Sequence, residues 1–576
     1  MIHNHNPHAK EISKKIYTLL VWFCTGIFLL YVRLFYLQVI CAEHLRTRGN
    51  NNFLRLESIP ASRGIIVDCN DKVLALNRPI FNIYWDGNKK NNTEKELENN
   101  YQVIRTIFPE LKKEPHFYAK LRRATRQKTI ITIAQNVSFI QLCQVQEQLS
   151  KCANITIESC EKRHYPHSTK TTHFVGYVSK HDATIQGQAG LELLYNQQLT
   201  GKSGTRLKTI NSVGSIIEDQ IIQEPISGKN LKTTLDINLQ IMGDTVFPDH
   251  FKGALLLMDP SSGAIRSLIS KPSFCPHLFL DPISSEDWKR LQENNPFLNR
   301  ALNAYPPGSI FKLVSISAAL EQGIIQEDDS WFCKGYHMFA NRRYWCHKHS
   351  GHGLLDTAHA VGQSCNILFF EVAKQISIDI FADYAHRFGL GFKTGSLFSE
   401  KEGLVPNTRW KREKKGEPWW PGETLSAAIG QSYLLATPIQ IARMVGSIFT
   451  GFLIQPRILE DEPLLSIPLH LNDRTIAFLK KSMKSVITHG TGKKVSTLKD
   501  FELYAKTSTA QIGALGKQVV DKSFLEHGWF VTYFQYKQEK PLVLVVLVEN
   551  AGSAQVATTI ARNFLIAYKR HCDSIK

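Results

Sequence analysis

Pro306-Pro307-Gly308-Ser309-Ile310-Phe311-Lys312 is the stretch from which the fold can be read. Proline and glycine then vanish, and Leu313, Ile316 and Leu320 recur at helical spacing, so a helix is expected to open at Ser309. Ser309 and Lys312 then share one face of it. A serine hydroxyl is a weak nucleophile until an adjacent base takes its proton. A lysine amine can be that base where desolvation or nearby positive charge lowers its pKa. By itself this four-residue pattern is a common accident, and a serine helix cap accounts for most instances.

Two later stretches argue against accident. Ser364-Cys365-Asn366 follows on the helical segment, and Lys506-Thr507-Ser508-Thr509 ends a strand-like run. A second serine can relay a proton, an asparagine amide can hold a substrate amide, and a second lysine can attract a carboxylate. The three motifs, in this order, are those of penicillin-reactive serine enzymes.

Outward from these motifs, strand patterning marks 231–235, and 254–258 and 264–269 flank the turn Asp259-Pro260-Ser261-Ser262-Gly263. Helical stretches dominate 309–450. Strands return at 503–507, 529–533 and 542–548, the last a continuous apolar run suited to a central strand, and a helix closes at 554–568. The pattern predicts an α+β domain over 231–570: an antiparallel sheet flanked by helices, plus an all-helical lobe. Upstream, residues 64–77 predict two short strands around Cys69-Asn70-Asp71-Lys72. Helical patterning appears near 111–121, 140–149 and 191–199.

The chain is 576 residues long, too long for one core. From Ile16 to Val32 no residue is charged, and the apolar stretch resumes after Arg33 as far as Ile40. That suffices for a bilayer-spanning helix of ~20 residues. Lys10, Lys14 and Lys15 precede it and orient the N-terminus inward. No small-residue cleavage site follows, so an uncleaved anchor is expected. The reading is a cytoplasmic tail at 1–15, a transmembrane anchor at 16–40 and a module at 41–230, with the bulk of the chain outside the inner membrane. The net charge of +18 is spread along the chain, without a nucleic-acid-binding signature, and is read as a solvated basic surface. The 11 cysteines do not have the spacing of a small disulfide scaffold. Cys24 falls in the anchor, and Cys152 and Cys160 are read as either paired or free.

The chain resembles class B penicillin-binding proteins, and within them the elongation type, over nearly its whole length. In the N-terminal half, Arg63-Gly64-Ile65-Ile66-Val67-Asp68, Arg163-His164-Tyr165-Pro166, His173, Val175-Gly176-Tyr177-Val178 and Gly190-Leu191-Glu192 are similar to the family's pedestal motifs. Met258-Asp259-Pro260, Asn299-Arg300-Ala301 and Gly430-Gln431-Ser432 through Gln440 fit its catalytic module. Pro406-Asn407-Thr408-Arg409-Trp410-Lys411 and Pro418-Trp419-Trp420-Pro421-Gly422-Glu423-Thr424 favour the elongation type. The chain departs from the pattern at Ser508 and Ser432, where the family favours glycine, and at Cys69 and Asp71.

The resemblance implies an elongated pedestal domain before a D-Ala-D-Ala transpeptidase that β-lactams inhibit. Ser309 is then the nucleophile, Lys312 its base, and Ser364 the proton relay. Asn366 binds the donor amide, and Lys506, Thr507 and Thr509 hold the substrate carboxylate. Backbone N–H groups of Ser309 and Thr509 form the oxyanion hole. Cys333, Cys346, His352 and Cys365 suit tetrahedral structural zinc, at spacing wider than a zinc ribbon. The resemblance strengthens that set, since elongation-type members carry zinc there, with aspartates in place of the first two cysteines. His347 and His349 are alternative ligands, and buried or disulfide-bonded cysteines are the plain alternative. No organic cofactor is expected.

Stem peptides of peptidoglycan and the inner membrane are the expected partners, with a SEDS-type, RodA-like glycosyltransferase and other elongation proteins. A septal class B transpeptidase has a similar layout. A β-lactamase or DD-carboxypeptidase fits less well, because such hydrolases rarely keep an anchor and a long pedestal.

Overall fold

The computed structural model describes residues 7–89, 93–114, 116–181, 184–210, 216–395, 399–511 and 525–575. They form two compact bodies, each woven from separate segments. The first comprises Met1–Ser62, Pro79–Glu161 and Lys202–Ile226; the second comprises Arg63–Arg78, Lys162–Gly201 and Ser227–Lys576.

In the first body the helix Pro7–Phe35 continues through one wider turn, Tyr36–Ile40. Glu11–Ile40 is the one span among the described residues long and apolar enough to cross a membrane, and its side chains are exposed. Its apolar surface has no protein partner in this body, which is what lipid would supply. A three-stranded antiparallel sheet follows, with Gly204–Ile210 between Leu54–Ile59 and Ile216–Gln223. Elsewhere in this body the end of the strand Val73–Asp86 pairs with Ile130–Ala134. Helices Glu94–Ile107, Phe117–Gln127 and Phe139–Gln148 contribute to a core around Trp85, Ile104, Phe108, Leu121 and Val145. Two of these helices begin with reciprocal caps, Thr93 with Glu96 and Ser138 with Gln141, which satisfy the first free N–H groups.

The second body is built on a five-stranded antiparallel sheet. Its order is Ile265–Lys271, Gly253–Met258, Leu542–Val548, His527–Tyr536 and Phe501–Ala510. Leu542–Val548 is central and buried at every residue, which explains its unbroken apolar run. Helices Ala554–Ile575 and Ile237–Val246 pack with one sheet face, around Phe534, Leu544, Val546 and Phe564. Helix Pro438–Thr450 covers the other face and joins it to the helical lobe. At the centre of that lobe the helix Lys312–Glu321 is buried from Lys312 through Ala319.

The mixed helix-and-sheet class agrees with the sequence reading, and three local features differ. Ser309 lies in a three-residue 3-10 turn, Gly308–Ile310, and the α-helix begins only at Lys312. Two small two-stranded sheets, Ser330–Cys333 with Gly353–Asp356 and Tyr336–Phe339 with Arg342–Trp345, interrupt the helical stretch. Their strands are four residues each, too short for a periodic signal. The 111–121 patterning resolves into a 3-10 turn, Pro109–Lys113, and the helix Phe117–Gln127. No disulfide joins any two cysteines among the described residues, so Cys152 and Cys160 are not bridged.

The motifs of the N-terminal half meet inside the second body. Glu192 receives Arg63 Nε at 2.7 Å on one carboxylate oxygen and Arg163 Nε at 2.7 Å on the other. Arg163 also donates to the Gly64 carbonyl at 2.8 Å. The Arg163 and Glu192 side chains are fully buried and that of Arg63 nearly so. Buried charges are tolerated only when paired and bonded. Glu192→Ala is therefore expected to destabilise this body by about 3–5 kcal/mol, read by denaturant melts. A loss under 1 kcal/mol would mean that the guanidiniums find water instead.

Candidate active site

The turn carrying Ser309 is held from four sides. Gly308 has φ +52°, and a Cβ there would fall 2.3 Å from Ser508 Oγ on the strand Phe501–Ala510. Gly308 N–H donates to the Gly430 carbonyl at 2.9 Å, and a Cβ on Gly430 would meet the Gly308 carbonyl oxygen at 1.9 Å. Just upstream, Tyr305 and Ala436 exchange backbone hydrogen bonds of 2.9 and 2.8 Å. Trp529 Nε1 donates to the Pro306 carbonyl at 3.0 Å. Only glycine fits at 308 and 430 without displacing backbone or strand.

At the start of the buried helix, Lys312 Nζ donates to the Ser364 carbonyl at 2.7 Å, to Ser364 Oγ at 3.2 Å and to Asn366 Oδ1 at 2.7 Å. Lys506 reaches the same hydroxyl from the strand, donating to Ser364 Oγ at 3.0 Å and to the Thr507 carbonyl at 3.2 Å. Ser364 adopts φ +56°, a left-handed conformation uncommon for serine and costing of order 1 kcal/mol. Both lysines are fully buried. Burial lowers Lys312 to about 8, against the opposing influence of the Cys365 and Cys346 sulfurs. Lys506 is pushed well below the usual lysine range, first by burial and then by the charge of Lys312. Two ammonium groups this close and this dry repel each other, so burial and the neighbouring charge both favour the loss of a proton from the pair.

Ser309, Ser364, Asn366, Thr507, Ser508 and Thr509 line one cleft of about 890 Å³. Lys312 and Lys506 stand behind its wall. Ser309 Oγ has no hydrogen-bond partner among the described residues. Thr507 Oγ1 bonds Thr491 Oγ1, and Thr509 Oγ1 accepts from the Ala554 N–H at 3.1 Å. Two participants escape sequence reasoning. Thr491 has no motif around it, and the Trp345 carbonyl, which accepts Asn366 Nδ2 at 3.0 Å, is backbone.

Cys333, Cys346, His352 and Cys365 converge beside this wall, their ligand atoms all within 4.8 Å of one another. The Cys346 and Cys365 sulfurs are 4.0 Å apart, and His352 Nδ1 is 3.4 Å from Cys333 Sγ and 3.6 Å from Cys346 Sγ. A tetrahedral zinc ion requires about 3.8 Å between sulfurs and about 3.6 Å from sulfur to nitrogen. These three distances lie close to that geometry, and the donor set suits such an ion. The Cys346 and Cys365 sulfurs share one hydrogen bond and the Asn366 N–H donates to Cys346 Sγ; the shared bond draws Cys346 toward the thiolate and pushes Cys365 up. His347 Nδ1 lies 3.9 Å from Cys346 Sγ, on the outside of the group.

The sheet, the buried lysines and the serine turn define a serine acyltransferase domain. Residues 253–565 match the family described as "Penicillin binding protein transpeptidase domain", and the chain belongs to that family. Residues 58–233 match "Penicillin-binding Protein dimerisation domain". Among its relatives is the peptidoglycan D,D-transpeptidase MrdA of Haemophilus influenzae, 29% identical over 94% of this chain and 89% of the relative. The MrdA of Escherichia coli K12 is 28% identical over 94% of this chain and 91% of its own. The fold is similar to that of PBP2 in a solved complex with MreC from Helicobacter pylori. The TM-score is 0.75 at 26% identity, covering 90% of this chain and 99% of that one. A chain from a structure on "coordination of polymerization and crosslinking by a peptidoglycan synthase complex" also gives 0.75, at 29% identity, covering 96% and 98%.

Ser432 stands exposed at φ +69°, a left-handed conformation that favours glycine. Ser432→Gly should relieve that strain and stabilise the protein by about 0.5–1 kcal/mol. A thermal melt checks this, and a lower melting temperature would show that the serine side chain is itself holding the segment.

Proposed function

We propose that this chain cross-links peptidoglycan during cell-wall elongation, as a D,D-transpeptidase working through an acyl-enzyme on Ser309. The observation that carries the mechanism is the continuous hydrogen-bonded line Lys312–Ser364–Lys506 directly behind a cleft that exposes Ser309. In its free-base form Lys312 takes the Ser309 proton. Ser309 Oγ bonds to the penultimate D-Ala carbonyl carbon, and the charge passes to the carbonyl oxygen. N–H groups of Ser309 and Thr509 face that oxyanion, each worth roughly 3 kcal/mol in such sites. The carbon–nitrogen bond then breaks, and the terminal D-Ala leaves with a proton relayed through Ser364. An amine on a neighbouring stem attacks the ester, restoring an amide and freeing Ser309.

Asn366 holds the donor amide. Thr507 and Thr509 meet the terminal carboxylate from the cleft, while Lys506 acts from behind through its hydrogen bonds to Ser364 Oγ and the Thr507 carbonyl. A β-lactam offers the same carbonyl in a strained ring and leaves a slow ester. Support for the elongation role comes from the MrdA relatives.

Cys333, Cys346, His352 and Cys365 are the residues that would hold zinc. When bound, the ion supplies structural cross-linking, fastening residues 333–352 to the Ser364–Asn366 motif. With Glu11–Ile40 as an inner-membrane anchor, the remaining chain works in the periplasm. Glycan polymerisation then falls to a RodA-like SEDS partner, and an MreC-like scaffold is a second partner by analogy with the PBP2 complex.

A fluorescent penicillin should label the protein stably, with the adduct on Ser309 by mass spectrometry and no label on Ser309→Ala. The acylation rate should rise about tenfold per pH unit below about 8 and level off above it, as the lysine pair surrenders its proton. Rapid penicillin turnover would instead identify a hydrolase. Metal analysis should return about one zinc per chain. Cys346→Ser should lose the metal and melt at lower temperature; equal stability with and without zinc would remove its structural role.

A further inference from the structure

We infer that Arg342 and Arg343 bind a carboxylate of the donor peptide other than its C-terminal one. This deepens the transpeptidase reading and rests on it. The two arginines occupy the hairpin formed by Tyr336–Phe339 and Arg342–Trp345, whose turn residues Ala340 and Asn341 have φ +45° and +59°. Both line the cleft that contains Ser309, Ser364 and Asn366.

Exposed arginines are most often plain surface charge, and three observations set these apart. First, neither guanidinium has an ion pair or hydrogen bond among the described residues, and Glu526 is the one acidic residue in the cleft lining. Their charge is uncompensated where an anionic peptide would pass.

Second, the guanidiniums are pre-arranged by aromatic faces. Arg342 lies 5.6 Å from the Tyr344 ring centroid, and Arg343 lies 5.0 Å from Tyr336 and 6.0 Å from Trp345. Stacking leaves the planar N–H fork free for a carboxylate while restricting its freedom.

Third, the hairpin is tied to the catalytic group. The Trp345 carbonyl accepts Asn366 Nδ2 at 3.0 Å, and Asn366 Oδ1 accepts Lys312 Nζ at 2.7 Å. The side chain that receives the donor amide is thereby one hydrogen bond from the strand carrying both arginines. A donor lying along Asn366 continues toward Trp345 and Arg343. A carboxylate-bearing residue upstream of the D-Ala-D-Ala end satisfies the free forks.

The test uses the full chain in detergent and two short donor peptides ending in D-Ala-D-Ala. They are identical except that the upstream acidic residue is free in one and amidated in the other. Acylation of Ser309 and release of D-Ala are followed without acceptor, which isolates the donor side. The parent should prefer the free acid about tenfold in kcat/KM, and the preference should shrink as salt is raised. In the Arg342→Gln/Arg343→Gln variant the ratio should fall to about one. Equal rates for the two donors in the parent, a preference insensitive to salt, or a preference that survives in the variant overturns the inference. Penicillin labelling separates the two levels. A labelled parent without donor preference refutes only the arginine assignment, whereas an unlabelled parent refutes the transpeptidase reading beneath it.

Discussion

Lys312 and Lys506 bring two amines to one hydroxyl, Ser364 Oγ, at a place that water does not reach. Desolvating an amine is unfavourable unless carbonyls and hydroxyls are waiting for it. Here they come from two separated parts of the chain: the carbonyl and hydroxyl of Ser364 with the Asn366 amide oxygen, and the Thr507 carbonyl. The helix from Lys312 must therefore be buried, the strand Phe501–Ala510 must lie alongside it, and the Ser364 turn must stay left-handed. Most of the second body's architecture serves to hold those three pieces at hydrogen-bonding distance. The apolar core around Leu313, Val314 and Ile316 supplies the favourable burial that offsets so polar a centre.

The large elements of the catalytic half were legible because their signals are long. The Leu542–Val548 strand is apolar at every position, and the closing helix carries Val556, Ile560 and Phe564 at helical spacing. The chemical residues were legible because three motifs constrain one another in type and order. What escaped was local or relational. The Ser309 turn is 3-10 because Gly308 turns left-handed against Ser508, a contact between residues far apart in sequence. The four-residue strands at 330–356 are too short for periodicity, and Arg342 and Arg343 acquire meaning only once the cleft is assembled. Lys506 reads as a substrate-binding cation, yet it stands behind Thr507 with its amine on Ser364. A linear sequence does not say which side of a strand meets ligand.

The separate segments of the second body show how an N-terminal half can contribute to a catalytic one. Arg63, Arg163 and Glu192 come from three short motifs, and their ion pairs are fully enclosed. Such a cluster adds little net stability compared with apolar packing of the same volume, but its geometry admits one arrangement of partners. It adds a side-chain register to segments that backbone bonds also join, such as Gly64 N–H to the Leu199 carbonyl and Leu231 N–H to the Ile65 carbonyl.

Gly308 and Gly430 have no room for a side chain of their own. A side chain at 308 strikes the strand, and one at 430 strikes the carbonyl of 308. Substrate and antibiotic use the same seat, so a substitution that evicts the drug from this turn evicts the stem peptide as well. Evolution toward β-lactam resistance in this chain is thus steered away from the nucleophile's own loop. It is steered toward the cleft's rim, where side chains have free volume and the reacting atoms are left undisturbed.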